Sequence, residues 1–166
     1  MELLFSQKDS SELLSFGTPN SSDGYSGALK KLEFNDSIDT SKVENMSNMF
    51  TNSSIKNLDL SGFNTPNLTI MEGMFSWSKA EVIDMSNFDT SNVTNMSWMF
   101  SGASKLKTIY AGEKFSINDS ANISGMFSIC DSLVGGAGTV FDSDKTDKTY
   151  ARIDEGTSTP GYFTRK

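Results

Sequence analysis

The chain has 166 residues, no histidine, one cysteine (Cys130) and a formal net charge of −7 from 14 basic and 21 acidic residues. The missing histidine excludes Ser-His-Asp and Cys-His catalysis and histidine zinc ligands, and a single cysteine excludes an internal disulfide. An acidic chain without a basic stripe is a poor partner for nucleic acid or for an anionic membrane surface.

The length fits a single domain, 1–166. Residues 1–30 form an N-terminal cap or extension. They hold Leu3, Leu4, Phe5, Leu13, Leu14 and Phe16, then a Ser/Gly-rich stretch from Thr18 to Gly27. The start, Met1-Glu2-Leu3-Leu4-Phe5, has neither a basic beginning nor a long apolar run, so it does not read as a signal peptide. No stretch approaches the ~20 apolar residues of a membrane span. Leu32-Glu33-Phe34 is a first, imperfect strand.

Residues 31–134 are a repeat. Met-Phe recurs at Met49-Phe50, Met74-Phe75, Met99-Phe100 and Met126-Phe127, with the Phe positions 25, 25 and 27 residues apart. Apolar residues precede it at matched offsets: Val43 and Met46, Leu68 and Met71, Val93 and Met96, then Ile123 alone. The offsets place these side chains on one face of a short helix. Thr40, Thr65 and Thr90 would cap it, with Pro66 at the first helical position of the middle copy. Between the helices, Leu58-Asp59-Leu60, Ile83-Asp84-Met85 and Ile109-Tyr110-Ala111 alternate as half-buried strands do. Phe63, Phe88 and Phe115 close the turn that follows.

The predicted fold is therefore an α/β repeat solenoid. About four coils of 25 residues, each strand, turn and short helix, stack so that the strands form a parallel ladder. The pattern breaks at Leu133-Val134-Gly135-Gly136. Residues 135–166 read as a C-terminal cap, with Val140, Phe141, Tyr150, Ile153, Tyr162 and Phe163 available to cover the last coil.

The run from Ile83 to Phe100, Ile-Asp-Met-Ser-Asn-Phe-Asp-Thr-Ser-Asn-Val-Thr-Asn-Met-Ser-Trp-Met-Phe, resembles the repeat of BspA-type leucine-rich-repeat surface proteins of bacteria. The tail, with Tyr150-Ala151-Arg152-Ile153-Asp154 and Pro160-Gly161-Tyr162-Phe163, is similar to the segment that follows the last repeat in that family. The resemblance covers roughly residues 38–163. It implies a leucine-rich-repeat-like solenoid, display outside the cell or on its surface, and adhesion or protein interaction without catalysis or cofactor. The partner would be a protein or glycan on another surface. A decoration or spacer element of a cell-surface fibre or phage particle is the alternative.

Candidate binding residues are those that break the repeat or line one face of it. Trp77 aligns with Asn52 and Gly102; Trp98 aligns with Asn48 and Gly73. Each is either an exposed contact for a partner or a cover for a dent between coils. Asp59, Asp84 and Tyr110 form an outward strand column, as do Asn57, Val82 and Thr108. Asp142, Asp144 and Asp147 are a weak calcium candidate, since no EF-hand spacing holds them and a solvated turn accounts for them. The Met pairs 46/49, 71/74 and 96/99 suggest thioether metal ligands less well than core packing. Cys130 aligns with Ser53, Ser78 and Ala103, which points to a tight structural slot. Asp154-Glu155 is an acidic pair without a partner cleft, so an enzymatic role has little to rest on.

Overall fold

The structure, a computed structural model, describes residues 39–166. The N-terminal extension 1–30 and the strand expected at Leu32–Phe34 lie outside the described residues. Within them, four short strands form one parallel sheet: β1 (Asn57–Asp59), β2 (Val82–Met85), β3 (Thr108–Ala111) and β4 (Thr164–Arg165), in the order β1-β2-β3-β4. The register sets Leu58 beside Ile83 and Ile83 beside Ile109, and it joins Asp59, Asp84 and Tyr110 in one column. These are the alignments expected from the repeat. The inward residues Leu58, Ile83 and Ile109 are buried, because alternate side chains of a strand share a face.

The expected helices are absent: the described residues contain none. Each expected helix is a run of tandem turns. In the first copy the amides of Met49, Thr51 and Ser53 donate to the carbonyls three residues back. The amides in between do not stay in the coil. Met46, Asn48, Phe50 and Asn52 donate to Ile70, Glu72, Met74 and Ser76 of the next copy, at 2.8–2.9 Å. The pattern repeats from the second copy to the third, and from the third to the fourth. A helix sends each amide to the residue four back within one segment, so a segment that gives half its amides to a neighbour cannot be one. Two left-handed residues per copy also break the right-handed path. Two residues bulge outward in each four-residue turn, so apolar side chains recur at a near-helical period.

The threonines likewise do not cap helices. The hydroxyls of Thr40, Thr65 and Thr90 donate to the carbonyls of Asn64, Asp89 and Ser116 and accept from the amides of those same residues. Each buried threonine brackets one copy to the next.

The core is a column of rings. Phe50, Phe75, Phe100 and Phe127 stack face to face, with centroids 5.7, 5.5 and 5.9 Å apart. Phe63 and Phe88 stack beside them at 5.9 Å. The methionines at 46, 49, 71, 74, 96, 99 and 126 are fully buried, filling the gaps between rings as flexible thioethers do.

The end of the ladder is not a fourth copy of the strand. After Leu133 the chain leaves through Gly135 and Gly136, and β4 pairs with β3 in its place, with Tyr110 beside Thr164 and Ala111 beside Arg165. Tyr162 and Phe163 are fully buried and lie 5.2 and 5.9 Å from the Phe127 ring. Asp154 holds the excursion: its carboxylate accepts from the amides of Ala137, Thr139 and Gly156 and from the Thr139 hydroxyl. Burial works to raise its pKa, but these hydrogen bonds hold it below the ordinary carboxylate value.

Candidate binding face on the tandem turns

Each copy of the tandem turn carries two residues at positive φ, and the stack lines them up in two columns. Asn48, Gly73, Trp98 and Gly125 form one, at φ 57°, 59°, 58° and 64°; Asn52, Trp77, Gly102 and Ile129 form the other, at 58°, 57°, 75° and 60°. Glycine and asparagine take this conformation readily, whereas a bulky side chain there is an outlier. Trp77, Trp98 and Ile129 are nonetheless placed there, and they are 55%, 50% and 50% exposed.

Each indole rests on a glycine of the following coil. A Cβ built on Gly102 would fall 2.5, 2.7 and 2.8 Å from Cδ2, Cε3 and Cε2 of Trp77. The ring-fusion atom is the nearest, so the face of the indole, rather than its rim, covers Gly102. A Cβ on Gly125 would fall 2.5 Å from Cζ3 and 2.9 Å from Cδ2 of Trp98. Asn48 covers Gly73 in the same way, whereas Asn52 is followed by Trp77 and Ile129 ends its column. The tryptophans therefore cover the next coil with part of their surface while about half of it meets water.

The energetics of this seat are finely balanced. Covering about half of an indole, roughly 100 Å², stabilises by ~2.5 kcal/mol. The left-handed backbone takes back ~1–2 kcal/mol of that. The net is a stabilisation of ~0.5–1.5 kcal/mol, and it leaves apolar surface in water.

The other expected sites resolve differently. Asp59 is exposed, and its carboxylate accepts from the Ser61 amide and hydroxyl, closing its own turn. Asp84 is only 5% exposed: it accepts from the Ser86 amide and is paired with the Lys166 ammonium, which also stands 5.5 Å over the Tyr110 ring. Burial works against its charge, yet Lys166 and Ser86 hold its pKa down. Lys166 thus covers the outward column at Asp84 and Tyr110 and leaves Asp59 exposed. Asp142, Asp144 and Asp147 do not converge, and among the described residues no group of three acidic or cysteine side chains is placed to hold a metal. Asp142 accepts from the Asp144 amide and pairs with Lys145; Asp147 accepts from the Thr149 amide and hydroxyl. These are turn-closing contacts, which account for the acidic spacing. Cys130 is fully buried, its thiol donating to the Phe100 carbonyl at 3.2 Å. Burial, then the Asp131 charge, push its pKa up to about 12.

A family model described as Mycoplasma protein of unknown function, DUF285, matches residues 24–137. The chain belongs to that family. The DUF285 family is related to the BspA-like surface repeat proteins. Its match takes in every tandem turn, both tryptophans and Ile129, and ends in the glycine-rich exit. No curated protein and no solved structure matches the chain.

Ile129 and the two seating glycines are the residues that sequence reading missed. The signal was present as a glycine 25 residues after Trp77 and 27 after Trp98, the spacing of the repeat itself.

Proposed function

We propose that this DUF285 chain is a non-enzymatic, surface-displayed binding module of the BspA type. It is a leucine-rich-repeat-like solenoid closed by a C-terminal cap, and it meets its partner through the turn face that carries Trp77, Trp98 and Ile129. The observation that carries this reading is the pair of half-exposed tryptophans held at positive φ, each seated on a glycine. Core residues recur from coil to coil because each coil solves the same packing problem. These tryptophans depart from that pattern toward large aromatics at exposed places, where contact with a partner is the common cause.

The test is adherence of the labelled protein to host-cell monolayers. The Trp77→Asn/Trp98→Asn variant restores the residue that the first coil carries in each column, so it keeps the fold. Its binding should fall by about thirtyfold, from the ~2 kcal/mol of an aromatic hot spot. Unchanged adherence by this folded variant would remove the turn face from the function.

A further inference from the structure

We infer that the ligand of the turn face is an uncharged saccharide chain, stacked on the outer faces of Trp77 and Trp98. This rests on the reading of that face as the binding face. Three observations select the ligand chemistry.

The first is charge. The four turn segments, residues 45–53, 70–78, 95–103 and 122–130, contain a single charged residue, Glu72, in a chain with 14 basic and 21 acidic residues. The Glu72 carboxylate accepts from Asn95 Nδ2 at 3.1 Å. An anionic polymer would need a row of cations, and these segments hold none; only Lys79 and Lys105 stand just past their ends. The charges nearest the platform, on exposed Glu44, Lys79, Lys105 and Asp131, stand beyond the ends of the segments and are of mixed sign, so they form no patch of one charge. What the platform does carry is hydroxyls and amides: Asn122, Ser124 and Ser128 are all at least partly exposed, while Ser76 and Asn95 bond within the protein. Such groups match the donors and acceptors of a neutral polyhydroxylated chain.

The second is ring geometry. The face of an aromatic ring is negative, and the axial C–H groups of a pyranose present a flat, weakly positive surface to it. Trp77 has one face on Gly102, with the rest of its surface in water. The left-handed backbone and the glycine seat fix the ring before a ligand arrives, so little freedom is lost on binding.

The third is placement. Trp77 and Trp98 stand in adjacent columns, one coil apart, and the Trp77 ring lies over Gly102, in the same coil as Trp98. Ile129 follows Gly102 in the Trp77 column, one coil further on. The platform zigzags between the two columns across three coils, which suits an extended ligand. Two linked stacking contacts bind far more tightly than either alone.

The chain's two tryptophans are both at this site, so intrinsic fluorescence reads it directly. The full chain would be titrated with cellohexaose, maltohexaose, mannohexaose and chitohexaose, with hyaluronan as the anionic arm. At least one uncharged hexasaccharide should give a saturable emission change that persists in high salt; hyaluronan should give none. Calorimetry should show binding weakened by about tenfold or more in Trp77→Asn and in Trp98→Asn. A response to hyaluronan alone, silence from every uncharged hexasaccharide at millimolar concentration, or full binding by the folded double variant would overturn the inference. The monolayer assay separates the two levels. Adherence that needs the tryptophans but survives periodate oxidation of the monolayer sinks the saccharide and leaves the binding face. Adherence that ignores the tryptophans sinks both.

Discussion

Gly102→Ala tests the seat of Trp77. The new methyl group would come 2.5–2.8 Å from three indole atoms, where carbon atoms in contact stand about 3.5–4.0 Å apart. The ring must retreat by ~1 Å, which lifts its inner face off the coil. That forfeits up to ~2.5 kcal/mol, the stabilisation from roughly 100 Å² of covered indole. Alanine at a φ of +75° adds ~1 kcal/mol of backbone strain. The single substitution should therefore destabilise by about 3 kcal/mol. In a Trp77→Gly background only the backbone component remains. A double-mutant cycle should give a coupling of ~2 kcal/mol. Urea unfolding followed by far-ultraviolet circular dichroism serves all four proteins, since fluorescence would change with Trp77 itself. Additivity within ~0.5 kcal/mol would show that Trp77 does not sit on Gly102 in solution.

Phe100 lies between two stacked rings, so Phe100→Ala should destabilise by about 3–5 kcal/mol; a loss under ~1 kcal/mol would contradict its packing. Cys130, with a thiol pKa of about 12, should stay unlabelled by a thiol reagent at neutral pH in the native protein and react at once in denaturant. The Asp154 pKa is lowered in the folded state. Its contribution is present above the unfolded value, about 3.9, and is lost as pH falls through the folded one. Asp154→Asn should thus flatten the acid limb of the stability profile, and an unchanged limb would refute the role given to its hydrogen bonds. Removal of residues 139–166 would uncover the Phe127 ring, and the truncated chain should aggregate or melt earlier; equal stability would show a dispensable tail.

The strands were legible from the sequence because a strand's signal is local. Leu58, Ile83 and Ile109 alternate with outward residues, and the repeat then fixes which of them pair. The turns were misread because two different backbones give one periodicity. A helix and a run of four-residue turns both bring Met46, Met49 and Phe50 inward. What separates them is the sign of φ at Asn48 and Asn52, for which asparagine is only a weak signal. Thr40, Thr65 and Thr90 suit a helix start equally well, and only the neighbouring coil shows where their hydroxyls go. Of the candidate site, Trp77 and Trp98 were visible as breaks in the pattern. The occupation of the Asp84 column was not, since Lys166 is 82 residues away in the chain.

The seating of tryptophan on glycine also bears on how such chains lengthen. Repeat proteins grow when a coil's coding segment is copied in place. Copying the coil of Trp77 alone would set one indole beneath another in a column where Trp77 now covers a bare glycine backbone. A copy that carries the following coil as well brings its own glycine. A duplication of two consecutive coils would thus keep each copied Trp77 on a glycine. Because β4 already fills the place beside β3, such a pair would have to enter before that point, and the exposed aromatic surface would lengthen with it.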